Sequence, residues 1–87
     1  MEYDPQALDA AHRHSRDHRE QLERSGVCGC FYCQATFMTA SIDEWLEDEG
    51  GTALCPQCGV DSVIGSASGY PVEDRSFLSS MHTRWFD

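Results

Sequence analysis

The chain has 87 residues, of which 40% are hydrophobic, and its formal net charge is −9. A chain of this length forms one small domain and buries only about 60% of its unfolded surface, so a stabilising metal or cross-link is expected. Residues 27–72 contain six acids and neither Lys nor Arg. This composition disfavours nucleic-acid binding by that segment, because such binding needs clustered positive charge.

The sequence also bears on the compartment. The first twenty residues lack the apolar stretch of a secretion signal, and no segment has the eighteen apolar residues of a membrane span. We therefore expect a cytoplasmic protein without membrane association. In that reducing setting, paired cysteines are typical of metal or redox sites rather than of disulfides.

The first predicted element is an amino-terminal helix. Asp4 is a suitable N-cap, Pro5 suits the first helical position, and Gly26 follows the expected end. The helix has a thin apolar face, made of Leu8, Ala11, Ser15, His18 and Leu22. We therefore expect residues 1–26 to lie at the edge of a zinc-ribbon domain formed by residues 27–87, or to fray.

Two turn-rich segments each contain a Cys-x-x-Cys pair. Residues 28–33 (CGCFYC) are predicted to form one metal-binding knuckle, followed by an extended stretch over 35–40. Ser41 and Glu44 have the spacing of a capping box, which predicts a short helix over 42–49 that buries Trp45 and exposes its acids.

The second half repeats the knuckle and ends in a helix. Residues 52–54 and 60–64 are predicted strands flanking the CPQCG turn of 55–59, and 65–71 form a loop of small residues. The tail has a wide apolar face that predicts a carboxy-terminal helix packed on the ribbon, with Phe77, Leu78, Met81, Trp85 and Phe86 on that face. The predicted fold class is a small α+β domain, ribbon-like and stapled by metal.

The predicted metal ligands are Cys30, Cys33, Cys55 and Cys58. The two pairs are separated by 21 residues, which matches tetrahedral Cys₄ sites in which each knuckle supplies two adjacent corners. We expect one structural Zn²⁺ per chain. Four thiolates leave no open coordination position, so catalysis by this metal is not expected and no catalytic residue is predicted.

Cys28 is a third thiol for two ligand positions in the first knuckle. It is expected to be a small, half-buried residue near the cluster, with exchange of ligands or a reactive thiol as the alternatives. His14 and His18 have the spacing of a helical metal pair but lack an HExxH motif, so both are expected to be solvated. His82 is expected at the edge of the core. Asp61 and Ser62 open a loop that could approach a ligand or merely satisfy local amides.

The sequence resembles a family of small bacterial cytoplasmic zinc-ribbon proteins. The resemblance is carried by CGCFYC (28–33), IDEWLEDEGGTALCPQCGVDSVIGSASGYP (42–71) and FLSSMHTRWF (77–86), about two thirds of the chain. It implies a zinc ribbon in a bacterial cytoplasm and names no partner.

The leading interpretation is a non-catalytic zinc protein that acts as an acidic interaction module. Its acidic segment 43–49, together with exposed aromatic residues, would bind a protein with a basic surface. The candidate aromatic anchors are Phe31, Tyr32, Trp85 and Phe86.

Three alternatives stay open. The first is nucleic-acid contact through the arginines of the first helix, which are Arg13, Arg16, Arg19 and Arg24. The second is a small acidic inhibitor that occupies a basic groove of its partner. The third is a small-molecule or catalytic role for the region of Asp61, Ser62 and His82.

Overall fold

The computed structural model describes residues 3–47 and 50–86, which form three α-helices, five strands and three short 3₁₀ turns. The helices are α1 (Pro5–His12), α2 (Arg19–Glu23) and α3 (Arg75–Phe86). The strands are β1 (Val27–Cys30), β2 (Thr36–Met38), β3 (Trp45–Leu46), β4 (Thr52–Ala53) and β5 (Val63–Gly65). The 3₁₀ turns are Arg13–Ser15, Thr39–Ser41 and Ser66–Ser68. The predicted α+β class is confirmed, and no helix in this part of the chain is long and apolar enough to cross a membrane.

The predicted amino-terminal helix is interrupted. Its start is as expected, because the carboxylate of Asp4 accepts a hydrogen bond from the amide of Gln6 at 2.7 Å. The helical conformation is then broken at Asp17, whose φ is 51°, in the left-handed region. The amide of Asp17 donates to the hydroxyl of Thr52 at 3.0 Å, which holds the interruption against β4.

The five residues of the predicted apolar face are all buried. The expectation that this segment only lies at the edge of the domain, or frays, is therefore wrong. The interruption at Asp17 directs α1 and α2 to different parts of the core. Leu8 packs with Ile64 and the buried residues of α3, whereas Leu22 packs with Val63 and the cysteines of the strands.

His18 is 4% exposed, so the prediction of a solvated histidine is wrong at this position. Its Nε2 accepts a hydrogen bond from the amide of Ala53 at 3.0 Å, and its Nδ1 lies 2.6 Å from the carbonyl oxygen of His14. Because Nε2 accepts, the ring proton is on Nδ1 and is donated to that carbonyl. The imidazole thus ties α2 to β4.

A three-stranded antiparallel sheet lies at the centre of the fold, in the order β2-β1-β5. On β1, Cys28 lies opposite Phe37 on one side and Gly65 on the other. Gly29 lets α3 approach this sheet, since a Cβ there would come within 2.6 Å of the carbonyl oxygen of Val72 and 3.1 Å of Leu78. The predicted strands 35–40 and 60–64 correspond to β2 and β5, with shifted ends.

The predicted helix over 42–49 does not form in its described part. Residues 45–46 instead form β3, which pairs with β4, so that Trp45 faces Ala53 and Leu46 faces Thr52; residues 48 and 49 lie outside the described ranges. The Trp45 ring is half-buried beneath the guanidinium of Arg19, 4.6 Å from its centroid. The strand pairing and this cation–π contact outweigh the local capping signal.

The carboxy-terminal helix forms as predicted. Phe77, Leu78 and Met81 are buried, whereas Trp85 and Phe86 are 39% and 42% exposed. The guanidinium of Arg84 donates two hydrogen bonds of 3.0 Å to the carboxylate of Asp9, which joins α3 to α1. Phe31 is 1% exposed within the same core, so its predicted role as an exposed anchor is wrong.

Because Leu22 is fully buried, we can predict how its truncation changes the stability of the protein. Leu22→Ala should lower the free energy of unfolding by about 2–5 kcal/mol, because it leaves a cavity between α2 and the strands. The exposed neighbour Glu23 provides a control, and Glu23→Ala should cost less than about 1 kcal/mol. Urea denaturation of both variants measures the two values; similar losses would show that α2 is not part of the core.

Candidate metal centre

The structure brings together the four cysteines selected from their spacing. Their sulfur atoms all lie within 4.8 Å of one another. Cys30 ends β1 and Cys33 closes the turn that follows, while Cys55 and Cys58 flank the turn between β4 and β5. The two sheets therefore meet at this cluster.

The two knuckles have equivalent backbone geometry. In the first, Gln34 has a φ of 64° and its amide donates to the carbonyl oxygen of Cys30 at 2.8 Å. In the second, Gly59 has a φ of 80° and its amide donates to the carbonyl oxygen of Cys55, also at 2.8 Å. A left-handed residue after the second cysteine turns each chain so that both sulfurs of a pair face the same point.

Two of the distances between the sulfurs match those around a tetrahedral ion. The Sγ atoms of Cys30 and Cys58 are 3.7 Å apart, as are those of Cys33 and Cys55. A metal with four bonds of about 2.3 Å to sulfur has its ligands roughly 3.8 Å apart by tetrahedral geometry. A disulfide would need about 2.05 Å, and all four cysteines are free. This four-cysteine cluster could therefore hold one metal ion.

The pKa values of three of the four clustered cysteines are shifted by burial and by their neighbours. Burial and the charge of Cys30 raise the pKa of the Cys58 thiol to about 12, and burial together with Cys30 also raises the pKa of Cys33. Burial opposes ionisation of Cys30, but hydrogen bonds from Ser62 and two backbone amides outweigh it and lower the pKa of Cys30. One thiolate thus disfavours a second, and a divalent ion would remove that repulsion.

Cys28 is not part of this cluster. It is fully buried rather than half-buried as predicted, and its sulfur lies 3.3 Å from the hydroxyl of Thr39. Burial raises the pKa of the Cys28 thiol, which disfavours the alternative of a reactive thiolate. The alternative in which Cys28 exchanges with a metal ligand is also disfavoured, because the Cys28 sulfur lies outside the group of four clustered sulfurs.

Ser62 contacts the four-cysteine cluster, which the spacing of the cysteines did not predict. Its hydroxyl lies 3.1 Å from the sulfur of Cys30, and its side chain is buried. Asp61 is exposed and lies at a surface cleft together with Ser62. His82 is half-buried with Nδ1 3.2 Å from the carbonyl oxygen of Phe31, which confirms its position at the edge of the core.

Comparison of the chain with protein-family models, with curated proteins and with solved structures gives no match. The resemblance to small zinc-ribbon proteins therefore stays a prediction. The chemistry of the cluster depends on the geometry of its own four cysteines.

Cys58→Ser should prevent metal binding and unfold or aggregate the protein, because it removes one of four candidate ligands and a structural metal would supply much of the folding free energy. Cys28→Ser is the matched control and should keep both the metal and the cooperative thermal transition. Metal analysis and circular dichroism of the two variants measure these outcomes. Equal metal loss in both would contradict the assignment of ligands.

Metal affinity should fall steeply with decreasing pH. The raised pKa values keep Cys33 and Cys58 protonated between pH 6 and pH 7 in the metal-free protein, so at least two protons must leave on binding. The dissociation constant for Zn²⁺ should then rise about 100-fold for each unit of acidification. Competition titrations with a chelator at several pH values measure this slope, and a slope near zero would contradict a thiolate site.

Proposed function

We propose that this chain is a non-catalytic adaptor whose fold is stabilised by one structural Zn²⁺ and which binds a protein with a basic surface. The observation that carries the proposal is the exposed acidic strand of the β3–β4 hairpin, residues 43–47, which we call the acidic hairpin. Asp43, Glu44 and Glu47 are exposed there around Leu46, which is itself 44% exposed. An apolar contact surrounded by charges of one sign is a typical arrangement for a binding surface.

Zinc is the preferred ion for this site. Four thiolates in a tetrahedron suit zinc or iron. A closed Cys₄ site with two Cys-x-x-Cys pairs is typical of structural zinc in small domains, which favours zinc. Four protein ligands leave no position for a water molecule, so the ion would stabilise the fold rather than catalyse a reaction.

The positive charge of Arg19 lies beside the acidic hairpin, a position that the sequence alone did not predict. The guanidinium of Arg19 lies over Trp45, but it also forms an ion pair of 3.6 Å with Glu23. The charge of Arg19 is therefore partly offset within α2. The acids of the hairpin still outnumber the adjacent cation and leave a negative surface.

Ion pairs at two arginines disfavour the nucleic-acid alternative. Arg19 and Arg24 pair with Glu23 and Glu20, one helical turn away in each case. Two of the four arginines in this segment therefore have acidic neighbours that repel phosphate. A nucleic-acid surface needs uncompensated positive charge to release counterions.

The test removes the charge of the hairpin without changing its size. Asp43→Asn, Glu44→Gln and Glu47→Gln together should slow association with the captured and purified partner by about tenfold at low salt and flatten its salt dependence. The control triple variant Glu20→Gln, Asp61→Asn and Glu73→Gln changes the net charge equally at other exposed positions and keeps the ion pair between Glu23 and Arg19. It should slow association less.

Two results would contradict the proposal. One is equal slowing in the two triple variants, which would show that net charge rather than the hairpin matters. The other is binding of duplex DNA by the unmodified protein at micromolar concentration in physiological salt. That result would favour the arginines of the amino-terminal segment.

A further inference from the structure

A cleft of about 280 Å³ lies between the turn after α1, the loop after the second knuckle and the end of α3. Arg16 and Asp61 contribute its charged groups, and Phe31, Trp85, Phe86 and His12 contribute its rings. We propose that this cleft binds a free α-amino acid with an apolar side chain, in its zwitterionic form. This binding site is independent of the acidic hairpin.

The charged groups of the cleft are available to a ligand. Arg16 and Asp61 are both exposed, and neither has an ion-pair partner within residues 3–47 and 50–86. A guanidinium can bind a carboxylate through two parallel hydrogen bonds. The carboxylate of Asp61 can accept hydrogen bonds from an ammonium group. One cation and one anion at the same small cleft match the two charges of an amino acid.

The other residues that line the cleft mostly have planar rings and are largely uncharged. The ring of His12 lies 3.9 Å from that of Trp85, and the ring of Phe31 lies 5.7 Å from that of Phe86, measured between centroids. Burial and the nearby charge of Arg16 lower the pKa of His12, which keeps the imidazole neutral near pH 7. The exposed rings of Trp85 and Phe86 offer an apolar side chain two aromatic contacts.

Size and total charge select among ligands. Pockets for drug-sized molecules usually span about 300–1,000 Å³, so a cleft of about 280 Å³ suits a ligand smaller than those. The chain carries a net charge of −9 and repels anions such as nucleotides over long distances. A zwitterion has no net charge and escapes that repulsion.

The test uses the full-length, metal-loaded protein and NMR titration with L-phenylalanine and L-leucine. Two analogues each lack one charge: L-phenylalaninamide lacks the carboxylate, and N-acetyl-L-phenylalanine lacks the ammonium. We expect saturable shifts at Arg16, Asp61 and the indole of Trp85, and binding of each analogue weakened about tenfold or more.

Two variants test which side chain binds each charged group of the amino acid. Arg16→Gln should abolish the preference for phenylalanine over its amide, and Asp61→Asn should abolish the preference over the acetylated form. Arg75→Gln and Glu73→Gln alter exposed charges outside the cleft and should keep both preferences. All four positions are exposed, so the amide spectrum can report that each variant remains folded.

Three results would overturn the proposal. The first is the absence of saturable shifts with either amino acid up to about 10 mM. The second is equal binding of the amide or the acetylated form to the unmodified protein. The third is tighter binding of AMP than of phenylalanine, which would identify an anion site instead.

Discussion

Four sulfur atoms lie within 4.8 Å of one another, where their thiolates repel each other unless a cation is present. The three-stranded sheet ends at Cys30, and the two-stranded sheet leads into Cys55, so the ion would join the two sheets. Structural zinc in small peptides supplies roughly 10–16 kcal/mol, which is comparable with the whole stability of a domain. The helices pack around the region where the two sheets meet at the four cysteines.

The three helices complete the core that the small sheets cannot form alone. α1 and α3 cover one side, where Leu8, Phe77 and Met81 are buried together. α2 covers the other side, where Leu22 packs against the strands that carry the cysteines. Ser62 connects the metal centre with the surface, since its hydroxyl contacts the Cys30 sulfur and its residue lines the cleft.

Local chemistry explains which features could be predicted. The spacing of two Cys-x-x-Cys pairs identified the four clustered cysteines, because each pair determines its own turn. The cap at Asp4 and the buried face of α3 were likewise short-range patterns. The interruption at Asp17 and the buried His18 were not predictable, because their partners Thr52 and Ala53 lie 35 residues away in each case. A strand at Trp45 replaced the predicted helix because the partners of Trp45, which are Ala53 and Arg19, lie outside the segment 42–49.

The most direct test of the metal centre is X-ray absorption at the zinc edge, combined with metal analysis of the purified protein. The proposed zinc site predicts one zinc ion per chain, surrounded by the four clustered sulfur atoms at about 2.3 Å. The spectrum should show no nitrogen or oxygen ligand. Zinc bound by fewer than four sulfurs, or protein that folds cooperatively with no metal at all, would contradict the central role of these cysteines.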